Sequence, residues 1–159
     1  MQSLAQLEHE HAVLDAAVTH LQALLQRPRR AHVGDLRTVL KIVIEQLTEH
    51  LRFEERAFYT PLQASGHARP RFVEQLLAEH RDLRQTLEQL RPFLRHPCPS
   101  QDETFLLYSS HLLDLYRDHS EKEHRRLFPL LEQLPVPSTR PASANCAPNG
   151  CMKTERLLP

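Results

Sequence analysis

Four histidines and two glutamates recur at a fixed interval along this chain of 159 residues. Two of the histidines and one of the glutamates lie in the first half, and each has a counterpart of the same type 69 residues further on. Imidazole nitrogen and carboxylate oxygen, without thiolate, are donors that suit iron, manganese or zinc. The repeat therefore predicts a dinuclear metal site that arose by internal duplication. We call its six predicted ligands the ligand set: His11, His50, Glu54, His80, His119 and Glu123.

Spacing within the ligand set indicates how helices would bring the six side chains together. Glu54 follows His50, and Glu123 follows His119, by four residues, which places each pair on one face of a helix. Counting residues from the intervening turns puts all six at one level of an up-down-up-down bundle. Two carboxylates could then each bridge two metal ions, leaving two imidazoles for each ion. Such an arrangement leaves open coordination positions, where oxygen, peroxide or nitric oxide would bind.

Each member of the ligand set occupies a position on an apolar stripe where leucine would otherwise be expected. Burial of an unpaired carboxylate costs several kcal/mol. No lysine or arginine shares the stripes near the two glutamates, so a metal ion is the predicted counter-charge. The alternative is a pair of buried polar clusters satisfied by hydrogen bonds, which would leave both carboxylates without positive charge.

Four segments with the periodicity of amphipathic helices would position the ligand set. The leucine pattern of the first segment reappears in the third after 69 residues, so the repeating unit is a helical hairpin. The predicted fold is all-α, an antiparallel up-down-up-down four-helix bundle over residues 1–134. Residues 135–159 have turn composition and no periodicity, which predicts a flexible, disordered tail.

Glycine and proline mark the predicted ends of the helices. Asp35 is the predicted N-cap of the second helix, and Gly66 is its predicted stop. Pro61 and Pro129 fall inside the second and fourth patterns, each a few residues after a glutamate of the ligand set. Because proline lacks a backbone N–H and clashes with the preceding turn, each is predicted to bend or end its helix there.

Composition narrows the classes of partner and location. The 20 acidic and 20 basic residues balance, so no broad field favours nucleic acid or an anionic membrane. No stretch approaches the roughly 20 apolar residues that span a bilayer, and residues 1–14 do not resemble a signal peptide. We therefore expect a cytoplasmic location, with neither nucleic acid nor membrane as a partner. The three cysteines cannot form a disulfide framework, and Cys146 and Cys151 are predicted to be free thiols in the tail.

Three residues near the ligand set need separate consideration. Tyr116 lies one turn before His119 and could hydrogen-bond a bound diatomic molecule or supply a proton or an electron. Its alternative role is that of a core aromatic residue whose hydroxyl bonds the backbone. We expect His124 to face solvent or to support the site from outside, and Glu55, which lies off the stripe, to be solvated.

These motifs resemble those of the haemerythrin-like (HHE) cation-binding family. The resemblance covers about residues 1–134 and implies an antiparallel four-helix bundle with a non-haem di-iron centre. It implies two iron ions joined by an oxo or hydroxo bridge, with manganese or zinc as alternative metals. The matching stretches are Glu10-His11, His50-Leu-Arg-Phe-Glu54-Glu55, Glu79-His80, His119-Ser-Glu-Lys-Glu123, Phe58-Tyr-Thr-Pro61 and Leu127-Phe-Pro129.

Two departures from the invertebrate oxygen carriers of that family bear on function. Arg84 stands where those carriers have a further histidine, and His124 stands where they have an aspartate. The more symmetric set of four histidines and two glutamates looks more like the bacterial iron-centre repair proteins and the iron-sensing haemerythrin domains. The separate N-terminal cysteine-bearing domain of the repair proteins is not found in these 159 residues.

The resemblance implies a protein that binds, senses or handles a small diatomic molecule or oxidant, namely oxygen, nitric oxide or peroxide. A second function is that of an enzyme that decomposes peroxide or reduces nitric oxide. A third is iron sensing, or iron donation for the repair of damaged iron centres. The sequence has no flavin motif and no fused redox domain, which favours binding or small-molecule handling. It does not identify a protein partner.

Overall fold

The computed structural model describes residues 4–26, 33–66, 69–96, 99 and 102–133. All regular structure within these residues is helical, and four long helical rods account for it. The predicted tail at 135–159 lies outside the described residues, as do its two cysteines.

Six α-helices and three shorter turns make up the four rods. A π-helical turn at Glu55–Tyr59 joins the second helix to the third, and another at Glu123–Leu127 joins the fifth to the sixth. A 3₁₀ turn at Arg91–Arg95 extends the fourth helix. The helices are α1 (Leu4–Leu25), α2 (Val33–Glu54), α3 (Thr60–Ser65), α4 (Pro70–Leu90), α5 (Glu103–Lys122) and α6 (Phe128–Glu132).

The rods pack as two hairpins that face each other. Helix α1 packs along α2, and α4 packs along α5, while contacts between α1 and α5 and between α2 and α4 close the ring. Short connections favour antiparallel neighbours, which bury their apolar stripes against each other. The prediction of an all-α, antiparallel four-helix bundle is confirmed.

One predicted helix boundary is right and one is wrong. Gly66 follows α3 with φ of 69°, the left-handed conformation that glycine adopts without steric cost, so the predicted stop is confirmed. Asp35 is not the N-cap of α2, because the helix begins at Val33 and Asp35 lies in its first turn. There its negative charge still faces the positive end of the helix dipole.

Both internal prolines follow a π-helical turn. The α-type hydrogen bonding ends at Glu54 and at Lys122, as the prolines predict, but each rod continues. The residue before each proline closes the turn: Thr60 N–H donates to Glu55 O, and Phe128 N–H donates to Glu123 O. The wider π turn gives the pyrrolidine ring room beside a carbonyl that it would meet in a regular helix.

The π turn also shifts the buried face of the second rod. Pro61 continues the predicted apolar stripe, yet it is exposed. The additional residue in the turn rotates the following helix, so that Phe58 and Leu62 face the core instead. This difference arises because the stripe was extended with the period of an α-helix through a segment that has another period.

Two apolar clusters fill the bundle, and the ligand set lies between them. The stripes predicted for the four rods are buried apart from their ends, where Leu4 and Leu25 are only half-buried. Each cluster closes one side of the polar layer and keeps bulk water away from it. The larger cluster includes Leu14, Leu21, Leu40, Leu47, Leu83, Leu112 and Tyr116, and the smaller includes Leu7, Phe53, Phe58, Leu62, Leu76 and Leu127.

Candidate metal centre

All six residues of the ligand set lie together in the interior, each no more than 4% exposed. They form two groups of four donors whose ligand atoms all lie within 4.8 Å of one another. Glu54 and Glu123 belong to both groups. We call the group completed by His11 and His50 the first position, and the group completed by His80 and His119 the second position.

The helices place these side chains as their spacing predicts. His50 and Glu54 lie one turn apart on α2, and His119 on α5 lies one turn before Glu123 at the start of a π turn. His11 comes from α1, and His80 from α4. Each hairpin therefore contributes two histidines and one glutamate to a single layer.

Glu54 offers one carboxylate oxygen to each position. Its Oε1 lies 3.3 Å from His11 Nε2 and 3.2 Å from His50 Nε2. Its Oε2 lies 3.3 Å from His80 Nε2 and 3.9 Å from His119 Nε2. A carboxylate in this orientation can bridge two metal ions.

Glu123 is oriented differently. Its Oε2 lies 3.2 Å from His11 Nε2 and 3.4 Å from His119 Nε2, so this oxygen sits between the two positions. Its Oε1 accepts a hydrogen bond of 2.5 Å from the hydroxyl of Tyr59. One oxygen of Glu123 is therefore held by the protein itself.

Tyr59 is a site residue that the sequence reasoning missed. Its side chain is 1% exposed, and its hydroxyl oxygen also lies 3.1 Å from His80 Nε2. A regular helix would turn Tyr59 away from Glu54, five residues earlier, but the intervening π turn brings it back to the same face. Recognising Pro61 as the sign of a π turn would have been the signal.

The outward-facing nitrogens of three histidines contact carboxylates. His50 Nδ1 lies 3.3 Å from Glu10 Oε2, and His119 Nδ1 lies 3.0 Å from Glu79 Oε2. Glu10 and Glu79 are themselves separated by the 69-residue interval, so the repeat contained this signal. Such carboxylates fix the tautomer and orientation of the ring and leave Nε2 free for a metal ion.

The remaining two histidines have unlike outer partners. His80 Nδ1 lies 2.9 Å from Glu55 Oε1, which also accepts a hydrogen bond of 2.8 Å from Arg84. The expectation that Glu55 is solvated is therefore wrong, because it bonds a member of the ligand set. His11 Nδ1 instead lies 3.4 Å from the neutral hydroxyl of Ser120.

Tyr116 and His124 lie beside the layer rather than in it. The hydroxyl of Tyr116 donates to Asp15 Oδ1 at 2.8 Å, which is neither a backbone contact nor a contact with the ligand set. His124 is exposed, and its Nδ1 donates to the carbonyl of Ser120 at 2.8 Å. Its ring centroid lies 5.0 Å from that of His11, so it flanks the first position from outside.

The ligand set holds strong mutual charge when no metal is bound. Burial alone lowers the pKa of His11, but contacts with Glu123 and Glu54 outweigh it and raise the pKa to about 9. Burial likewise opposes the charge of His119, and the same two glutamates raise its pKa to about 10. Burial raises the pKa of Glu54, but the surrounding histidines hold it well below its usual range.

The unsatisfied atoms of the layer fit a metal. His50 Nε2, Glu54 Oε2 and Glu123 Oε2 are buried and have no hydrogen-bond partner among the described residues. Buried polar atoms in native proteins are rarely left without one. The Nε2 atoms of His80 and His119 lie only 3.2 Å apart and face the same interior space. Nitrogen and oxygen donors that converge in this way are suited to two divalent ions.

Comparison with known proteins agrees with this geometry. A family model, the Hemerythrin HHE cation binding domain, matches residues 2–131. The chain therefore belongs to the haemerythrin HHE cation-binding family, and its buried histidine and glutamate cluster fits the metal site of that family. Neither the curated proteins nor the solved structures contain a match. No helix in the described part of the chain is long and apolar enough to cross a membrane.

Proposed function

We propose that the ligand set holds two iron ions and that this centre binds, senses or handles a small diatomic molecule or oxidant. The observation that carries the proposal is the pair of four-donor groups that share Glu54 and Glu123. Two histidines and two shared carboxylates leave each ion with fewer protein ligands than iron accepts. Bound iron would supply redox chemistry and open coordination positions.

The protein's own residues would orient and insulate the centre. Glu10 and Glu79 hold the rings of His50 and His119, so that the Nε2 atoms point inward. Apolar side chains from both clusters close the layer, and Phe53 and Phe58 meet edge to face with ring centroids 5.5 Å apart. Exclusion of water strengthens every electrostatic interaction inside the site.

The described surface favours a small ligand over an organic substrate. One groove of about 250 Å³ lies between α4 and α5, lined by residues that include Asp82, Thr86 and His111. None of its lining residues belongs to the ligand set. A diatomic molecule or a peroxide needs no such pocket.

Tyr59 favours one alternative, an enzyme that decomposes peroxide. Its hydroxyl is the phenol closest to the ligand set among the described residues, and it contacts both Glu123 and His80. Burial and the charges of Glu54 and Glu123 raise the pKa of this hydroxyl well above its usual range, so it keeps its proton. A protonated phenol at this place can donate a hydrogen bond to a peroxide oxygen.

Metal analysis combined with absorption spectroscopy tests the proposal. We expect about two irons per chain and a near-ultraviolet band from a bridging oxide in the oxidised protein. A stable adduct with oxygen or nitric oxide would support binding or sensing, whereas rapid oxygen evolution from added peroxide would support the enzyme. A fully folded, metal-free protein isolated from iron-rich medium would falsify the centre itself.

A further inference from the structure

We propose that the two metal positions are unequal: the first position binds its ion more tightly and fills first, and the second position holds the weaker ion and receives the small ligand. This inference rests on the proposed metal centre. It follows from the outer partners of the ligand set, which do not obey the repeat that the ligands obey.

The repeat supplies a reference in which both positions would be identical. Within it, Glu10 supports His50 just as Glu79 supports His119. The four histidines and the two shared glutamates are also equivalent under the 69-residue interval. Any difference in affinity must therefore come from residues that break the interval.

Two cations break it, and both lie beside the second position. Lys122 donates to Glu79, and Arg84 donates to Glu55. The residues at the corresponding places in the first half are Phe53 and Asp15, neither of which is a cation.

The outer charge of the two positions therefore differs. At the second position each outer carboxylate is balanced by a cation. At the first position Glu10 is bonded at 3.1 Å by the neutral amide of Gln6, and His11 has only the Ser120 hydroxyl. The first position keeps an outer negative charge without a matching cation. Because like charges repel at these short distances, Arg84 and Lys122 weaken the hold of the second position on a cation.

Tyr59 breaks the interval as well. Its counterpart after 69 residues is Phe128, which has no hydroxyl and packs on the ring of His11 at a centroid distance of 5.1 Å. Tyr59 bonds Glu123 Oε1, the oxygen that symmetry would assign to the second position. The second ion therefore receives less carboxylate charge, and its coordination is left more open, beside a hydroxyl that can hydrogen-bond an incoming ligand.

Anaerobic calorimetric titration of the metal-free protein with Fe²⁺ tests the inequality, with Co²⁺ absorption as a second readout. We expect two steps whose dissociation constants differ by about tenfold or more, the range over which outer partners change metal affinity. Tyr59→Phe and Lys122→Gln should each bring the weaker step closer to the tighter one. Phe128→Tyr is the matched control and should weaken the tighter step instead.

The assignment of the steps to positions is tested with ligand variants. His80→Ala should remove the weaker step, and His11→Ala should remove the tighter one, with circular dichroism used to verify that each variant is helical. Should either histidine variant fail to fold, the Tyr59→Phe and Phe128→Tyr pair still decides the order. Two steps of equal affinity, or a tighter step that weakens in Tyr59→Phe, would overturn the inference and leave the centre intact. Absence of any metal binding would overturn both.

Discussion

At the scale of single residues, the site works because each imidazole has two distinct faces. The Nε2 atoms point inward and the Nδ1 atoms contact an outer oxygen, from a glutamate in three cases and from Ser120 in the fourth. An imidazole with a fixed tautomer loses less entropy on binding a metal ion. The outer layer therefore prepares the ligand set before any ion arrives.

Replacement of a ligand should be more damaging than replacement of an exposed histidine. In His50→Ala we expect the iron content to fall from about two ions per chain to about one or fewer, because a buried donor is lost and Glu54 keeps its charge. Metal analysis after gel filtration measures the change. His20→Ala, at an exposed position on α1, is the control and should retain the full iron content. Equal iron in both variants would contradict the assignment of His50.

The metal-free protein should become less stable as the pH rises. The pKa values of His11 and His119 rise from 6.5 to about 9 and about 10 in the folded chain, so the folded state binds their protons more tightly than the unfolded state. Their contribution is complete below pH 6.5 and is lost as the pH passes through 9 to 10. Urea unfolding of the metal-free protein at pH 6.5 and 9.5 measures this loss.

Metal affinity should follow the opposite trend over the same pH range. Ions displace the protons of His11 and His119, so binding strengthens as the pH rises. A metal-free protein that gains stability between pH 6.5 and 9.5 would contradict the proposed proton load.

At the scale of elements, regular helices supply the register and irregular turns supply the exceptions. The four-residue spacing of His50 and Glu54 predicts their shared face because α2 is regular throughout that interval. The position of Tyr59 could not be predicted in the same way, since a π turn changes the angle per residue. Glu55 was missed for a related reason, because it lies in that turn and its partner His80 is distant in sequence.

The start of α5 offers a test of local stability away from the ligand set. Asp102 caps this helix, with Oδ1 accepting from Thr104 N at 2.8 Å and from Phe105 N at 3.2 Å. Asp102→Ala should lower the free energy of unfolding by about 1 kcal/mol, the usual value of such a cap. Chemical denaturation measures it, and Asp114→Ala, at an exposed position on α5, is the control. Iron content should be the same in all three proteins.

At the scale of the whole molecule, the hairpin repeat made most of the fold predictable. Four periodic segments and their short connections define a four-helix bundle, and the 69-residue interval brings the ligand set to one level. The outer partners were less accessible to sequence reasoning. Contacts such as Tyr59 with Glu123 depend on how the two hairpins face each other, which no periodicity within one helix determines.

Residues 138–159 should be dispensable for the metal centre. None of the ligand set, and none of its outer partners, lies beyond Glu123 in the two four-donor groups. A protein truncated after residue 137 should therefore retain the iron content and the absorption spectrum of the full chain. Parallel metal analysis of the two proteins is the measurement. Loss of iron on truncation would show that the predicted tail contributes to the site.

The shared glutamates have a consequence for assembly. Each hairpin supplies three donors to its nearer position and takes the fourth, Glu54 or Glu123, from the other hairpin. A separate hairpin could therefore complete its coordination only by capturing a second one in solution. Joining two copies in one chain replaces that encounter with an intramolecular search at an effective concentration of roughly millimolar. The duplication thus makes coordination by both halves independent of how much protein the cell contains.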